Sequence, residues 1–260
     1  MNEEKKKQDG FTWARSSNYA MYNRILGQYQ VRTCIEQSPG DSILDMPCGD
    51  GTLTAMFAEN YDRVVGLDAS KHHLEQARQK VPGAEFHEAL IEEFETEERF
   101  DVVAMLNILE HVVDPVLILK KASVFLKKHG RIHVQVPNAY AINRRLAVLM
   151  GTLESCEELS PFDIKIAGHR RSYDTKTLLR DIKEAGLEAL DSGGIFYKIL
   201  STPQMDWFLE NGLWEEGGFG WGRIGADTKD WRAEFCRASY ELGKQHPEDC
   251  NVIWVSATKK

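Results

Sequence analysis

Two carboxylates and two glycines stand close together after a short apolar run, in Leu44-Asp45-Met46-Pro47-Cys48-Gly49-Asp50-Gly51. Val64-Val65-Gly66-Leu67-Asp68 follows and ends on a third acid. Glycines at such a turn let the backbone approach a ligand. An acid about 20 residues further on can hold two ribose hydroxyls. The chemistry this spacing suits is nucleoside binding. A dinucleotide loop uses three glycines around a pyrophosphate. Here there are Gly49 and Gly51 only, behind Pro47. Asp45 and Asp50 would repel a pyrophosphate and favour a ligand carrying an amine and a sulfonium.

A second group of residues could work on a substrate. Asn107-Ile108-Leu109-Glu110-His111-Val112-Val113-Asp114-Pro115 supplies an imidazole, the side chain whose ordinary pKa best suits taking a proton near neutral pH. The plainer reading of His111 is structural, with its ring bonded to the start of a helix at Asp114. Gly168-His169-Arg170-Arg171-Ser172-Tyr173 adds a second imidazole and a phenol, so His169 and Tyr173 join His111 as catalytic candidates. Arg144, Arg145, Arg170 and Arg171 could bind an anionic acceptor, because the guanidinium fork matches carboxylate and phosphate. The alternative is exposed arginines offsetting an acidic surface. Tyr197, just past a strand that ends near 196, is expected at the same pocket.

These residues need a frame. Apolar runs bounded by turn residues predict strands over 42–45, 63–68, 84–88, 100–106, 131–136, 187–196 and 251–258. Helical spacing predicts helices over 19–35, 52–60, 71–80, 115–128, 138–151 and 175–186. The acidic stretch 92–98 reads as a solvated helix or loop, and 155–168 as irregular. Strands alternating with helices argue for a Rossmann-like α/β fold: a mostly parallel seven-stranded sheet flanked by helices, with a partly helical lid insertion. The expected division is an N-terminal helical segment (1–40), a core (41–136, 173–196 and 251–260) and lid insertions (137–172 and 197–250). Trp207, Trp214, Trp221 and Trp231 read as lid core, with Trp207 and Phe208 as possible substrate contacts.

The 260 residues carry a net charge of −8, which does not suit a general polyanion binder. Lys5-Lys6-Lys7 is short, flanked by Glu3 and Glu4, and reads as a solvated tail. The five cysteines are odd in number and none are at CxxC spacing, so neither a zinc site nor a disulfide frame is expected. Cys48 reads as packed rather than reactive. With no secretory signal or membrane-length apolar run, a cytoplasmic protein is expected, with a small-molecule substrate, no nucleic acid and no membrane partner.

In the order Leu44–Gly51, Gly66-Leu67-Asp68-Ala69-Ser70, Glu88-Ala89-Leu90 and Asn107–Pro115, the chain resembles the class I S-adenosylmethionine-dependent methyltransferases. The Leu-Glu-His triplet with its Asp-Pro looks like the branch that methylates oxygen or carbon of small molecules. The resemblance covers most of 42–136, more weakly to about 196. It implies S-adenosylmethionine as cofactor. Asp45 and the backbone of Gly49 and Gly51 would hold its methionine amine and approach the ribose. Asp68 would take the ribose hydroxyls. Ala69 and His73 would lie against the adenine, Glu88 and Ala89 would read its amino group, and Asn107 and Ile108 would line the methionine side. Pro47 departs from the family's usual glycine. The implied activity is methylation, most simply of oxygen, on a small polar, anionic or sugar-linked metabolite. Methylation of nucleic acid or protein is disfavoured by the acidic balance. The alternatives are an NAD-dependent oxidoreductase and a non-catalytic S-adenosylmethionine-binding protein.

Overall fold

The computed structural model describes residues 18–214 and 230–260. The basic run Lys5-Lys6-Lys7 and Trp221 lie outside the described residues.

Seven strands form one sheet: β1 (Ser42–Asp45), β2 (Arg63–Asp68), β3 (Glu85–Glu88), β4 (Phe100–Leu106), β5 (Leu126–Pro137), β6 (Leu187–Ile195) and β7 (Val252–Lys259). Their order is β3-β2-β1-β4-β5-β7-β6. All pairings are parallel except those of β7, which runs antiparallel to both β5 and β6. β1 is buried along its whole length and β4 nearly so, as expected of strands covered on both faces. From β1 the chain winds outward one way through β2 and β3, then returns to β4 on β1's other side. That reversal opens a crevice at the carboxyl ends of β1 and β4, the usual place for a ligand in such sheets.

The helices are α1 (Ala20–Gln37), α2 (Thr52–Phe57), α3 (Lys71–Lys80), α4 (Pro115–Val124), α5 (Ile142–Leu149), α6 (Thr175–Glu184), α7 (Thr202–Asn211) and α8 (Trp231–Gln245). Two start as the sequence announces. Ser70 caps α3 by accepting from the His73 N–H, and Asp114 caps α4 by accepting from the Leu117 N–H at 2.9 Å. Of the boundaries that differ from expectation, two have a cause in long-range pairing. The strand expected from 131 starts at Leu126, because Leu126 pairs with Phe100 across a bulge. The helix expected from 138 starts at Ile142, because Asn138 is used otherwise. Its amide donates to the carbonyls of Glu248 and Cys250, tying the end of β5 to the entry of β7.

The main apolar core runs between the sheet and α4 and α6, from Leu44 and Val103 to Ile118 and Leu178. A second cluster lies at the carboxyl end of the sheet, where α1, α7 and α8 pack Tyr22, Leu26, Met205, Leu209 and Tyr240 around Phe196 and Val252. Trp214 belongs to this cluster and Phe208 packs against it, while Trp207 is exposed. None of the described helices is long and apolar enough to cross a membrane. All five cysteines are free, and burial pushes the Cys48 thiol well up.

Candidate active site

A cavity of about 690 Å³ opens at the carboxyl ends of β1, β2 and β4. That is within the range of about 300–1,000 Å³ for sites that enclose small molecules. Its floor is the β1–α2 turn and the ends of β2 and β4. Its roof comes from α1, α5, the 163–167 turn and the β6–α7 connection.

On the floor, Gly49 takes φ +54, and a Cβ there would meet nothing within 4 Å. Its backbone therefore faces open space. The Gly49 N–H donates to Asp68 Oδ2 at 2.9 Å, and the Ser70 N–H donates to Asp68 Oδ1 at 2.8 Å. One carboxylate thus ties the ends of β1 and β2 together and still has lone pairs for the cavity. Ala69, His73 and Ala89 line the same wall, with His73 Nδ1 3.7 Å from Asp68 Oδ1. Asn107 and Ile108 line the far side of the floor. Asn107 takes φ +57, and its Oδ1 accepts from the Gln30 amide at 3.4 Å.

Other residues expected at the floor are engaged within the protein. Asp45 is buried below the floor and accepts from the Thr54 hydroxyl at 2.7 Å. Asp50 lines the cavity, but its Oδ2 is 2.8 Å from Lys80 Nζ. Lys80 thereby answers the Asp50 charge within the protein, Asp45 stays below the floor, and Asp68 is the floor acid turned toward a ligand. Glu88 is exposed, outside the wall, and it is Ala89 that reaches in. Gly51 has φ +78, and a Cβ on it would lie 2.7 Å from Ala77 Cα, so it allows α2 and α3 to touch rather than a ligand to approach. Gly51→Val should therefore destabilise the fold by about 3 kcal/mol from overlap and backbone strain, visible as a lower urea midpoint.

The roof side carries the candidates for chemistry. Glu110 is 1% exposed, and its Oε1 is 3.7 Å from His111 Nε2. His111 Nδ1 is 3.3 Å from the Gly168 carbonyl, not at Asp114. A proton on Nδ1 satisfies that carbonyl and leaves Nε2 basic. The His169 ring stands edge-on to it, with centroids 5.0 Å apart. His169 Nδ1 is 3.5 Å from Asp163 Oδ1. Asp163 Oδ2 accepts from Arg144 at 2.9 Å and from the Ser160 hydroxyl at 2.8 Å. Burial works against the Asp163 charge, but the hydrogen bond and charge of Arg144 and the bonds from Ser160 hold its carboxyl below the usual range. Burial lowers His169 in turn, only partly opposed by Asp163, so its imidazole is neutral at pH 7. Glu110, His111 and His169 also bring one donor atom each within 4.8 Å of one another, a set that could hold a divalent cation.

The remaining expected residues are engaged elsewhere. Tyr173 is 2% exposed in the core, with its hydroxyl donating to Asp181 Oδ2 at 2.9 Å, so it lies outside the cavity wall. Arg171 donates to the carbonyls of Leu109, Val112 and Val113, bracing the segment that carries Glu110 and His111. Arg145 pairs with Asp249 on the outside. Arg144 lines the wall, but Asp163 and the Cys156 and Glu158 carbonyls take its donors. Neither Arg170 nor Tyr197 is in the wall. The Arg170 N–H donates to the Glu110 carbonyl, and Tyr197 packs on His246.

A family model described as a methyltransferase domain matches residues 37–186, more than half of the chain. The chain belongs to this methyltransferase family. Its seven-stranded fold is shared with S-adenosylmethionine-dependent methyltransferases of known structure. The ubiquinone biosynthesis O-methyltransferase of Aeromonas salmonicida is 28% identical over 170 residues, 63% of this chain and 69% of the relative. The trans-aconitate 2-methyltransferase of Enterobacter sp. is 29% identical over 180 residues, 66% of this chain and 67% of the relative. An S-adenosylmethionine-dependent methyltransferase of known structure from Thermotoga maritima shares the fold, with a TM-score of 0.60 at 15% identity over 93% of this chain and 92% of that one.

Sequence reasoning missed several groups in the methyltransferase's wall. Tyr22, Asn23 and Leu26 of α1 line the cavity, as do Asn143, Asp163 and Thr202. Asn143 Oδ1 is buried with no hydrogen-bond partner among the described residues, an unfilled acceptor. The apolar spacing of α1 was a signal for a packed helix, but not for what it covers. Asp163 had no local signal, whereas Lys198 closes the segment 193–198 that the sequence placed at the acceptor pocket, and it is Lys198 rather than Tyr197 that lines the wall.

Proposed function

We propose that this methyltransferase moves the methyl group of S-adenosylmethionine to an oxygen of a small polar metabolite. One observation carries the reading: a single cavity joins a nucleoside wall (Gly49, Asp68, Ala69, His73) to a half-buried histidine pair (His111, His169). The fit to the cofactor rests on open space beside Gly49 and on the Asp68 oxygens held at the cavity edge. Asp68 would take the ribose hydroxyls, Ala69, His73 and Ala89 would flank the adenine, and Asn107 and Ile108 would line the methionine side. When bound, the cofactor supplies an electrophilic methyl on a sulfonium.

The protein's share is then position and proton management. His169 is neutral, and Asp163 near Nδ1 orients its ring, so its Nε2 can take the proton of an acceptor hydroxyl. His111 packs against that ring and holds it. Segments 137–172, 197–214 and 230–250, with α1, act as the lid that keeps water from the acceptor. Oxygen as the methylated atom is supported by the O-methyltransferase name of a relative sharing 28% identity.

The test pairs calorimetry of S-adenosylhomocysteine with methyl transfer to a panel of catechols and aconitate isomers, followed by mass spectrometry. Binding without transfer to any acceptor oxygen, hydroxyl or carboxylate, would sink oxygen methylation. His169→Ala should lower kcat about 100-fold with cofactor affinity unchanged. Because burial lowers His169, the neutral base persists to below its ordinary pKa, so the acid limb of kcat should fall below the usual histidine range.

A further inference from the structure

Lys198 sits in the wall of the same cavity, and neither the nucleoside wall nor the histidine pair uses it. It is 3% exposed. The chain turns it inward through Phe196, which takes φ +67. The Phe196 carbonyl accepts from the Asn251 N–H at 2.9 Å, and the Tyr197 N–H donates to the Ser239 carbonyl at 2.9 Å, so this turn is anchored on both sides. Lys198 Nζ donates to the Thr202 hydroxyl at 3.0 Å and lies 5.0 Å from the centroid of the Tyr22 ring. Asp163 of the 163–167 turn and Arg144 of α5 act on it from farther away with opposite signs. Among the described residues it has no carboxylate in ion-pair range.

A buried ammonium with one hydroxyl and one aromatic face is poorly compensated. Its surroundings add to the imbalance. Thr202 opens the ten-residue helix α7, and Ser201, Thr202 and Pro203 line the cavity beside Lys198. The positive end of a helix and an ammonium thus face the same space. Each disfavours the other until an anion enters between them.

We propose that Lys198, with the N-terminus of α7, binds a carboxylate of the methyl acceptor. This deepens the methyl-transfer reading above and rests on it. A carboxylate fits better than a phosphate because the site offers one cation. The Arg144 fork, which a dianion would call for, is already held by Asp163, Cys156 and Glu158. The acceptor is then an anion whose hydroxyl reaches the histidine pair while its carboxylate is held at Lys198. In the free enzyme, burial keeps the Lys198 pKa down at about 7. A carboxylate beside it restores the charged form, so acceptor binding above neutral pH takes up a proton.

The test needs no knowledge of the acceptor. Enzyme with ¹³Cε-labelled lysine, loaded with S-adenosylhomocysteine, is titrated by NMR in acetate and in acetamide, a neutral mimic. K198M assigns the resonance, with K198R serving if the methionine variant does not fold. Lys198 should titrate near neutrality in acetamide and about one unit higher in acetate. Identical titrations in the two, or titration in the ordinary lysine range in both, overturn the anchor. Calorimetry of S-adenosylhomocysteine on the same samples separates the readings. Intact cofactor binding without an acetate response removes only the anchor, whereas absent cofactor binding removes the methyl-transfer reading itself.

Discussion

Replacing Asp68 by alanine is expected to weaken S-adenosylhomocysteine binding by about 100- to 1,000-fold. The size follows from what this carboxylate does. Its Oδ2 accepts from the Gly49 N–H and its Oδ1 from the Ser70 N–H, so the group is fixed before any ligand arrives. An ionised carboxylate has about four lone-pair sites. Two are used inside the protein, and two remain for a vicinal diol. Each hydrogen bond to a charged acceptor is worth about 1.5–3 kcal/mol, so losing both costs about 3–4 kcal/mol at the low end. Alanine also frees the Gly49 and Ser70 N–H groups, loosening the loop that the ligand must meet. Asp68→Asn is the sharper control. It keeps the shape, but its NH₂ must replace an oxygen that accepts from either the Gly49 N–H or the Ser70 N–H, so affinity should also fall by at least tenfold. Asp50→Asn should do far less, because Lys80 already answers the Asp50 charge at 2.8 Å. Calorimetry decides, with thermal melts to confirm folding. Asp68→Ala binding within about threefold of the parent, a difference of well under 1 kcal/mol, would remove Asp68 from the ribose site.

The nucleoside half of the site was legible because it is nearly contiguous. Strand, glycine turn, helix and second strand follow one another from Ser42 to Asp68, and local rules govern each step. β1, β2 and β4 start and end where their apolar runs do, since a strand buried on both faces leaves no room for polar residues. The start of β5 was not legible. Leu126 continues the helical spacing of Leu119 and Ala122, and only pairing with Phe100 makes it a strand. The acceptor half was read least well. It gathers Tyr22, His111, Arg144, Asp163, His169 and Lys198 from separate elements. The arginines show why type alone misleads. Arg171 looks like an anion ligand in sequence, yet carbonyls about 60 residues away claim it. What a charged side chain does depends on partners that only the fold supplies.

Acid should unfold this enzyme partly through His133, a residue far from the chemistry. It sits mid-strand in β5, fully buried, with its ring stacked on Trp254 at a centroid distance of 5.6 Å. The Gln135 amide nitrogen is 2.9 Å from His133 Nε2 and also donates to the Gln30 carbonyl at 2.9 Å. As an NH₂ group it can only donate, so Nε2 must accept and the ring proton sits on Nδ1, which is 3.4 Å from Ser38 Oγ. A second proton has no acceptor to meet at Nε2, and burial lowers the pKa to about 3. In the unfolded chain it returns to about 6.5. Between those values the unfolded state binds a proton that the folded state does not, so stability falls as pH falls and is unaffected above about 7. By pH 5 the loss is about 2 kcal/mol, and near pH 3 it reaches about 3–5 kcal/mol, comparable with the whole stability of many domains. His133→Gln removes the titration. It should be less stable than the parent at pH 7.5, since stacking is lost, yet its urea midpoint should fall less on acidification. Protonation of the carboxylates is common to both proteins and cancels in the difference. If the two stability curves run parallel from pH 7.5 to 5, His133 carries no part of the acid sensitivity.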